Sequence, residues 1–241
     1  KAGYSRGPGH VHLYDFESGA YEAMIESDWL GRMRTAATTA VATRLMARND
    51  ASVVACFGLG RHGSFQLAAV AAVRKISKVQ VYGRNRERVS GFCSSMSKRL
   101  GVPVEAAATA LEALAGADIV NLITPSATPL FDGAWLEPGQ HVNAAGSNEF
   151  NRREIDLETI RRSDVIVVDS REVAQAESGD LLPAVDAGLV QWEQLASLAD
   201  IVAGRRAART SPDQITLFES HGMCIEDLYA AKHVLDEARR K

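Results

Sequence analysis

The sequence predicts an α/β fold, a doubly wound parallel sheet with a second, smaller α+β domain. Three observations predict it. From Ala51 to Val202, apolar runs of strand length alternate with stretches of helical period, the pattern of a parallel sheet covered by helices on both faces. Ser52 to Gly63, SVVACFGLGRHG, reads as a buried strand that enters a glycine-rich turn and then the apolar-periodic run Ser64 to Val73. Outside this range lie a hairpin-like segment and a strand-helix pair that the alternation does not absorb. With 241 residues, 46% of them apolar, the chain is long enough for one large core and a smaller one.

Val11 to Phe16 and Ala20 to Ile25 read as two strands joined through Glu17-Ser18-Gly19. Two strands cannot bury a face alone, so this hairpin needs the C-terminal segment, a preceding stretch or a second subunit. Lys1, in place of a methionine, adds the expectation that the natural protein starts further upstream. His10 and His12 share one face of the first strand. Without a third ligand they read as surface or interface residues, and no metal is expected. From Asp28 to Arg48 the spacing of Leu30, Met33, Ala37, Val41 and Leu45 predicts a helix with Asp28 as N-cap. Arg34 stands near its apolar stripe and calls for an anion. A salt bridge or a snorkelling stem answers that, as does a bidentate clamp on a substrate carboxylate.

Gly58, Gly60 and Gly63 then follow in G-x-G-x-x-G spacing between a strand and a helix. Gly58 permits a sharp turn, Gly60 a close approach to a pyrophosphate, and Gly63 tight packing of helix on strand. The helix N-terminus offers N–H groups to the phosphates. This is a Rossmann-like, dinucleotide-binding arrangement. Residues 51–202 are assigned to it, and 1–50 with 203–241 to the smaller domain. The second strand, Val79 to Tyr82, ends in Gly83-Arg84-Asn85-Arg86-Glu87-Arg88, with no carboxylate at its tip for a ribose 2′-hydroxyl. Arg84, with Arg86 or Arg88 behind it, instead suits a 2′-phosphate, which favours NADP(H) with NAD(H) possible, and Asn85 is a further candidate cofactor contact. A solvated basic turn is the other reading of the same residues.

A helix (Arg86 to Leu100), a strand (Val102 to Ala106), a short helix (Thr109 to Ala115) and the strand Asp118 to Ile123 follow. The last runs into Thr124-Pro125-Ser126. Ligands of open α/β sheets bind at that edge, so Thr124 and Ser126 are candidate cofactor contacts; small hydroxyl residues also simply cap loops. Gln140 to Ala145 is a strand ending in Gly146-Ser147-Asn148-Glu149, and Val165 to Asp169 another. Glu172 to Glu177 and Trp192 to Val202 read as helices, Gln214 to Phe218 as a strand, Ser220-His221-Gly222 as a tight turn and Ile225 to Arg240 as a closing helix. A net charge of −3 offers no footprint for nucleic acid, and no apolar run reaches the length of a membrane span. Cys56, Cys93 and Cys224 show no metal-ligand spacing and fit a reducing cytoplasm. No hydrolase elbow or zinc-protease motif occurs.

Several of these segments together resemble the family of ornithine cyclodeaminase, mu-crystallin and the archaeal type of alanine dehydrogenase. They are Arg34-Thr35-Ala36-Ala37, Gly58-Leu59-Gly60-Arg61-His62-Gly63, Ala117-Asp118-Ile119-Val120 with Thr124 and Ser126, His141-Val142-Asn143-Ala144-Ala145-Gly146-Ser147, Glu177-Ser178-Gly179-Asp180-Leu181 and Ile215-Thr216-Leu217-Phe218-Glu219-Ser220-His221-Gly222. The resemblance implies a homodimer acting on a small amino or imino acid. It implies that Arg34 holds the substrate carboxylate, that Lys1 is the active-site lysine, and that Arg61 and His62 lie over the pyrophosphate. Arg84 would select the cofactor, with Gly146 and Ser147 near it and Ser220 near the nicotinamide. Asn148 departs from the pattern, because ornithine cyclodeaminases place an aspartate there as acid/base. An amide has no titratable proton near neutral pH. The expectation is thus an NAD(P)-dependent oxidoreductase of a C–N bond, of ketimine reductase or amino-acid dehydrogenase type. The alternatives are an ornithine or lysine cyclodeaminase that recycles NAD, and a protein that binds NADPH and a small ligand as mu-crystallin does.

Overall fold

A computed structural model describes residues 9–240. Strands β1 (His10–Tyr14) and β2 (Tyr21–Glu26) form an antiparallel hairpin closed at Asp15, whose carboxylate accepts hydrogen bonds from Ser18. Helix α1 (Ser27–Met46) begins one residue before the expected cap. Asp28 is therefore not the N-cap but a first-turn residue, and its carboxylate pairs with Arg32 and Arg61 instead of the backbone.

The large sheet starts with β3 (Val53–Phe57), followed by α2 (Gly63–Val73), β4 (Lys78–Tyr82), α3 (Arg86–Leu100), β5 (Val104–Ala106), α4 (Ala110–Leu114), β6 (Ile119–Leu122) and β7 (His141–Ala144). Local chemistry sets these boundaries. The Asn85 side chain accepts from Arg88 N–H at 2.9 Å to start α3, and Gly101 ends it at φ 70°. Next come α5 (Leu157–Arg162), β8 (Val165–Val168), α6 (Arg171–Glu177), α7 (Leu182–Asp186), β9 (Ala196–Ser197), α8 (Leu198–Val202), β10 (Thr216–Glu219) and α9 (Cys224–Arg239).

The eight strands run in the order β5-β4-β3-β6-β7-β10-β8-β9, every pairing parallel. With both faces covered by helices, β6, β7 and β10 are buried along their whole length, which is why they read as apolar or uncharged runs up to Glu219 at the end of β10. The order turns round between β3 and β6, and that is where a crevice opens at the C-terminal ends of the strands.

Two expectations need correction. The strand near Gln214 was grouped with the smaller domain, yet β10 lies inside the large sheet between β7 and β8. Arg209 fixes this return of the chain by donating to the carbonyl oxygens of Met46 and Gln214 and to Thr216 Oγ1. A cut at residue 202 would therefore divide the sheet. The single helix expected over Trp192 to Val202 is instead a one-turn 3-10 segment, a short strand and a short helix. Gln191 and Gln194 bond reciprocally and close the first turn, Ala196 pairs with β8, and the Ser197 hydroxyl accepts from Asp200 N–H at 3.1 Å to start α8.

After β10 the chain crosses to α9, which packs with β1 and α1 around Leu13, Leu30 and Ala231. This small apolar cluster is the cover that the hairpin lacked. Its outer side leaves Tyr14, Phe16, Tyr21 and Met24 exposed.

Candidate functional site

A cleft of about 510 Å³ opens at the turn-round point, between the loop after β3 and the loop after β6. Its walls bring together Gly58, Gly60, Arg84, Asn85, Arg88, Thr124 and Ser126 of the residues expected from sequence, with Leu59, Tyr82 and Pro129 supplying apolar surface. The glycines have separate reasons. Gly58 adopts φ +109°, and a Cβ there would stand 2.3 Å from the Ile123 carbonyl oxygen. At Gly63 a Cβ would meet the Gly58 carbonyl oxygen at 2.2 Å, so helix and turn are in contact there. Gly60 is different: its Cβ would meet nothing within 4 Å. The protein itself does not require that glycine; a group passing through the open space beside it would. No side chain caps the N-terminus of α2; Gly63 and Phe65 N–H donate to the Gly60 and His62 carbonyl oxygens, while Ser64 N–H has no hydrogen-bond partner among the described residues.

At the far wall, Arg84, Asn85 and Arg88 are exposed, and neither guanidinium has a carboxylate partner among the described residues. Thr124 and Ser126 show both properties expected of them. They line the cleft, and they also shape their own loop, Ser126 N–H donating to Thr124 Oγ1 at 3.3 Å and Ser126 Oγ to the Thr128 carbonyl at 2.6 Å. These features fit a dinucleotide: open space beside Gly60 for the diphosphate, at the turn that leads into α2, and unpaired cations where the adenosine ribose would end.

The remaining expected residues lie outside the cleft lining. Arg61 is exposed and pairs with Asp28 at 3.3 Å. His62, half-buried beside Arg32, Arg61 and Arg34, has its imidazole held below the usual range by burial and then by those cations. Ser147 is buried with its hydroxyl donating to the Arg152 carbonyl at 2.9 Å. Ser220, also buried, donates to Asp169 at 3.1 Å. Asn148 is exposed, and its Oδ1 accepts from Arg152 Nη1 at 3.0 Å. Lys1 lies outside the described residues. Arg34 reaches the first turn of α9, where Nη1 is 2.9 Å from Glu226 and Nε 3.1 Å from Asp227. Among the described residues no three His, Cys, Asp or Glu side chains are placed to share a metal, and no helix is long and apolar enough to cross a membrane.

Behind the cleft stands a set of buried acids that the sequence did not single out for a role. Glu154 straps two strand ends together: Oε1 accepts from Thr124 N–H and Oε2 from Gly146 N–H, both at 2.6 Å. A Cβ on Gly146 would meet Thr124 and the Glu154 carboxylate, so the glycine is what lets this strap close. Burial pushes the Glu154 carboxyl up to about 8 and that of Asp180, which caps Glu154 and Ile155 N–H, up to about 6. The Glu219 carboxyl is fully buried, with neither oxygen hydrogen-bonded among the described residues; burial first, then Asp180, Glu154 and Asp169, raises it well above the usual carboxylate range. Asp169 goes the other way. Burial would raise it, but the His221 side chain and the backbone N–H groups of Gly222 and Ser170 more than offset that. In the sequence, two of these acids stand at the tips of apolar strands, Asp169 after VIVV and Glu219 after TLF.

With this geometry in hand, known proteins provide the frame. The chain is 36% identical over 231 residues to a Delta(1)-pyrroline-2-carboxylate reductase of Bacillus cereus, an alignment covering 95% of this chain and 71% of that one. Among solved structures, the Thermococcus litoralis Delta(1)-pyrroline-2-carboxylate reductase in complex with NADH and L-proline matches with TM-score 0.92 and 37% identity, over 96% of this chain and 72% of that one. An archaeal alanine dehydrogenase dimer with bound NAD matches with TM-score 0.90 and 31% identity, over 96% and 71% of the two chains. The model of the ornithine cyclodeaminase/mu-crystallin family matches residues 1–241, and the chain belongs to that family.

Proposed function

We propose that this protein is an NAD(P)H-dependent oxidoreductase that reduces the C=N bond of a small imino carboxylate, of the Δ1-pyrroline-2-carboxylate kind, to the amino acid. The observation that carries the reading is the cleft at the turn-round of the sheet, open beside Gly60 and ended by Arg84 and Arg88. Its kinship to pyrroline-2-carboxylate reductases and to a structure holding NADH and L-proline supports the substrate class. Gly58, Gly60, Gly63, Arg61 and His62 hold the diphosphate, and Thr124, Ser126, Gly146, Ser147 and Ser220 border the rest of the cofactor. The bound nicotinamide would supply hydride to the imine carbon.

The protein's own residues do the remainder. Arg34 binds and orients the substrate carboxylate, since a planar guanidinium matches it bidentately. Asn148 hydrogen-bonds the substrate, and Lys1 delivers the proton that converts the reduced centre to an amine. An amide at position 148 has no proton to exchange near neutral pH, so it does not serve the cyclodeaminase reaction. For the cofactor, the unpaired Arg84 with Arg88 and Asn85 supports NADP(H) over NAD(H). The exposed aromatic and Met side chains of the hairpin support a homodimer through that face.

The test is turnover of Δ1-pyrroline-2-carboxylate by full-length protein with NADPH and with NADH, followed as loss of reduced nicotinamide and gain of proline. Reduction with either cofactor is expected, faster with NADPH. Tight NADPH binding without turnover across a panel of imino and keto acids would replace the enzyme by a binding protein.

A further inference from the structure

Resting on the reading of Arg34 as the carboxylate clamp, we propose that Glu226 and Asp227 preset its guanidinium and that the anionic substrate binds together with one proton, taken up by Glu226. Arg34 leaves α1 toward the first turn of α9, with Nη1 2.9 Å from Glu226 Oε2 and Nε 3.1 Å from Asp227 Oδ1. Gly222, at φ +86°, makes room for it, because a Cβ there would stand 2.8 Å from Arg34 Nη1. The loop after β10 is thus built around this side chain.

Two carboxylates on one guanidinium leave a net charge of −1 in a place where the three side chains are only 21%, 12% and 25% exposed. A third carboxylate brought to the same cation would face that excess in a partly desolvated setting, where charges interact more strongly than in water. Glu226 can relieve it. Its Oε1 is buried with no hydrogen-bond partner among the described residues, leaving a place for a proton. The groups that face Glu226 are Arg34 and the Thr38 hydroxyl on α1, Asp169 at the end of β8, and its own neighbour Asp227. Burial holds the Glu226 carboxyl above its ordinary range, with Arg34 and the Thr38 hydroxyl opposing and Asp169 adding to the rise. Protonated, Glu226 loosens its hold on Nη1 while Asp227 keeps Nε in place. The Nη1–Nη2 edge is then free for a bidentate contact without reorientation. Glu226 and Asp227 are positioning residues in this account.

The experiment is calorimetric titration of the full chain in saturating NADPH with cyclopentanecarboxylate, whose carboxyl is its one titratable group, and with L-proline. Two buffers of different ionisation enthalpy count the protons. Above the pKa of free Glu226, uptake approaching one proton per cyclopentanecarboxylate is expected, with a Kd that weakens by about tenfold per pH unit. In Glu226→Gln the uptake vanishes and the Kd becomes flat with pH. If that variant does not fold, the wild-type proton count decides alone. A pH-independent Kd without uptake, or uptake that survives in Glu226→Gln, overturns the proposal while leaving the clamp standing, provided that Arg34→Ala still weakens binding. Binding that Arg34→Ala leaves unchanged, or no binding by either carboxylate, overturns the clamp and the proposal with it.

Discussion

Replacing Gly58 and Gly60 one at a time by alanine should separate a glycine that the fold requires from one that a ligand requires. At Gly58 the backbone lies at φ +109°, and left-handed backbone costs an ordinary residue roughly 1–2 kcal/mol. The new Cβ would also stand 2.3 Å from the Ile123 carbonyl oxygen, so β3 and β6 must part locally, an overpacking penalty of roughly 1–3 kcal/mol. The sum is about 2–5 kcal/mol, which for a chain of this size lowers Tm by about 4–20 °C. At Gly60 the backbone has no left-handed φ and the Cβ meets nothing within 4 Å, so Gly60→Ala should leave stability unchanged or raise it by a fraction of a kcal/mol, with Tm following. Its methyl would instead occupy space assigned to the diphosphate and weaken NADPH and NADH alike by at least about tenfold, or 1.4 kcal/mol. Thermal scans and fluorescence titrations of the two variants read both quantities. Wild-type affinity in Gly60→Ala would show that no diphosphate runs past this turn, and the placement of the cofactor would have to be abandoned.

Arg84→Ala is expected to weaken NADPH by about 1.5–3 kcal/mol, the range of a hydrogen bond to a charged group, with little change for NADH; equal losses for both cofactors in a titration would remove Arg84 from the 2′-phosphate. Arg34→Ala should lower kcat/KM for the imino carboxylate by about 2 kcal/mol or more, and steady-state kinetics equal to wild type would take it out of the site. Glu154→Gln turns an amide N–H toward one of the two backbone N–H groups that the carboxylate accepts, so stability should drop by about 1–3 kcal/mol and cofactor affinity with it, read by Tm and NADPH Kd. Asp180 carries a pH prediction. Burial holds its carboxyl up to about 6 against an ordinary 3.8, so the folded protein keeps a proton that the unfolded chain has already released. Its contribution is unpenalised below about pH 4, is lost progressively as pH rises through about 6, and is constant above that, a drop of up to about 3 kcal/mol. Asp180→Asn should flatten the Tm profile over that interval.

What was legible in the sequence depended on whether the signal was local. Strands β3 and β8 are continuous apolar runs, and β6 is apolar but for Asn121, because a parallel sheet buries both faces, and that composition survives in the bare sequence. The glycine turn and the end of β4 were legible for the same reason, since their positions follow from a strand and the turn after it. The place of β10 was not. Thr216 to Glu219 announces a strand, but its insertion between β7 and β8 is a pairing between segments far apart in the chain, held by Arg209 on carbonyl groups that no pattern marks. The break in Trp192 to Val202 is not legible because local bonds, Gln191 N–H to Gln194 Oε1 and Gln194 N–H to the Gln191 carbonyl, override an apolar spacing that suits a helix.

The site divides along the same line. Arg84, Arg88, Thr124 and Ser126 meet in one cleft because they sit just beyond strand ends in a sheet of known winding. Asp169, Glu154 and Glu219 carried no comparable signal, since a carboxylate in a sequence does not say whether it is solvated or sealed beneath a loop. Arg34 lies between these cases. Its place near an apolar stripe called for an anion, and a salt bridge and a substrate clamp answered equally well. The fold shows the salt bridge, and the proposed clamp would make the two answers parts of one device: the acids at the start of α9 fill the role that a helix N-terminus favours for negative charge. By reaching back to α1 they also fix the guanidinium in advance. On the proposed reading, an arginine held on one side by Asp227 and on the other by a glutamate with a free, buried oxygen is oriented for a carboxylate and is one proton short of receiving it.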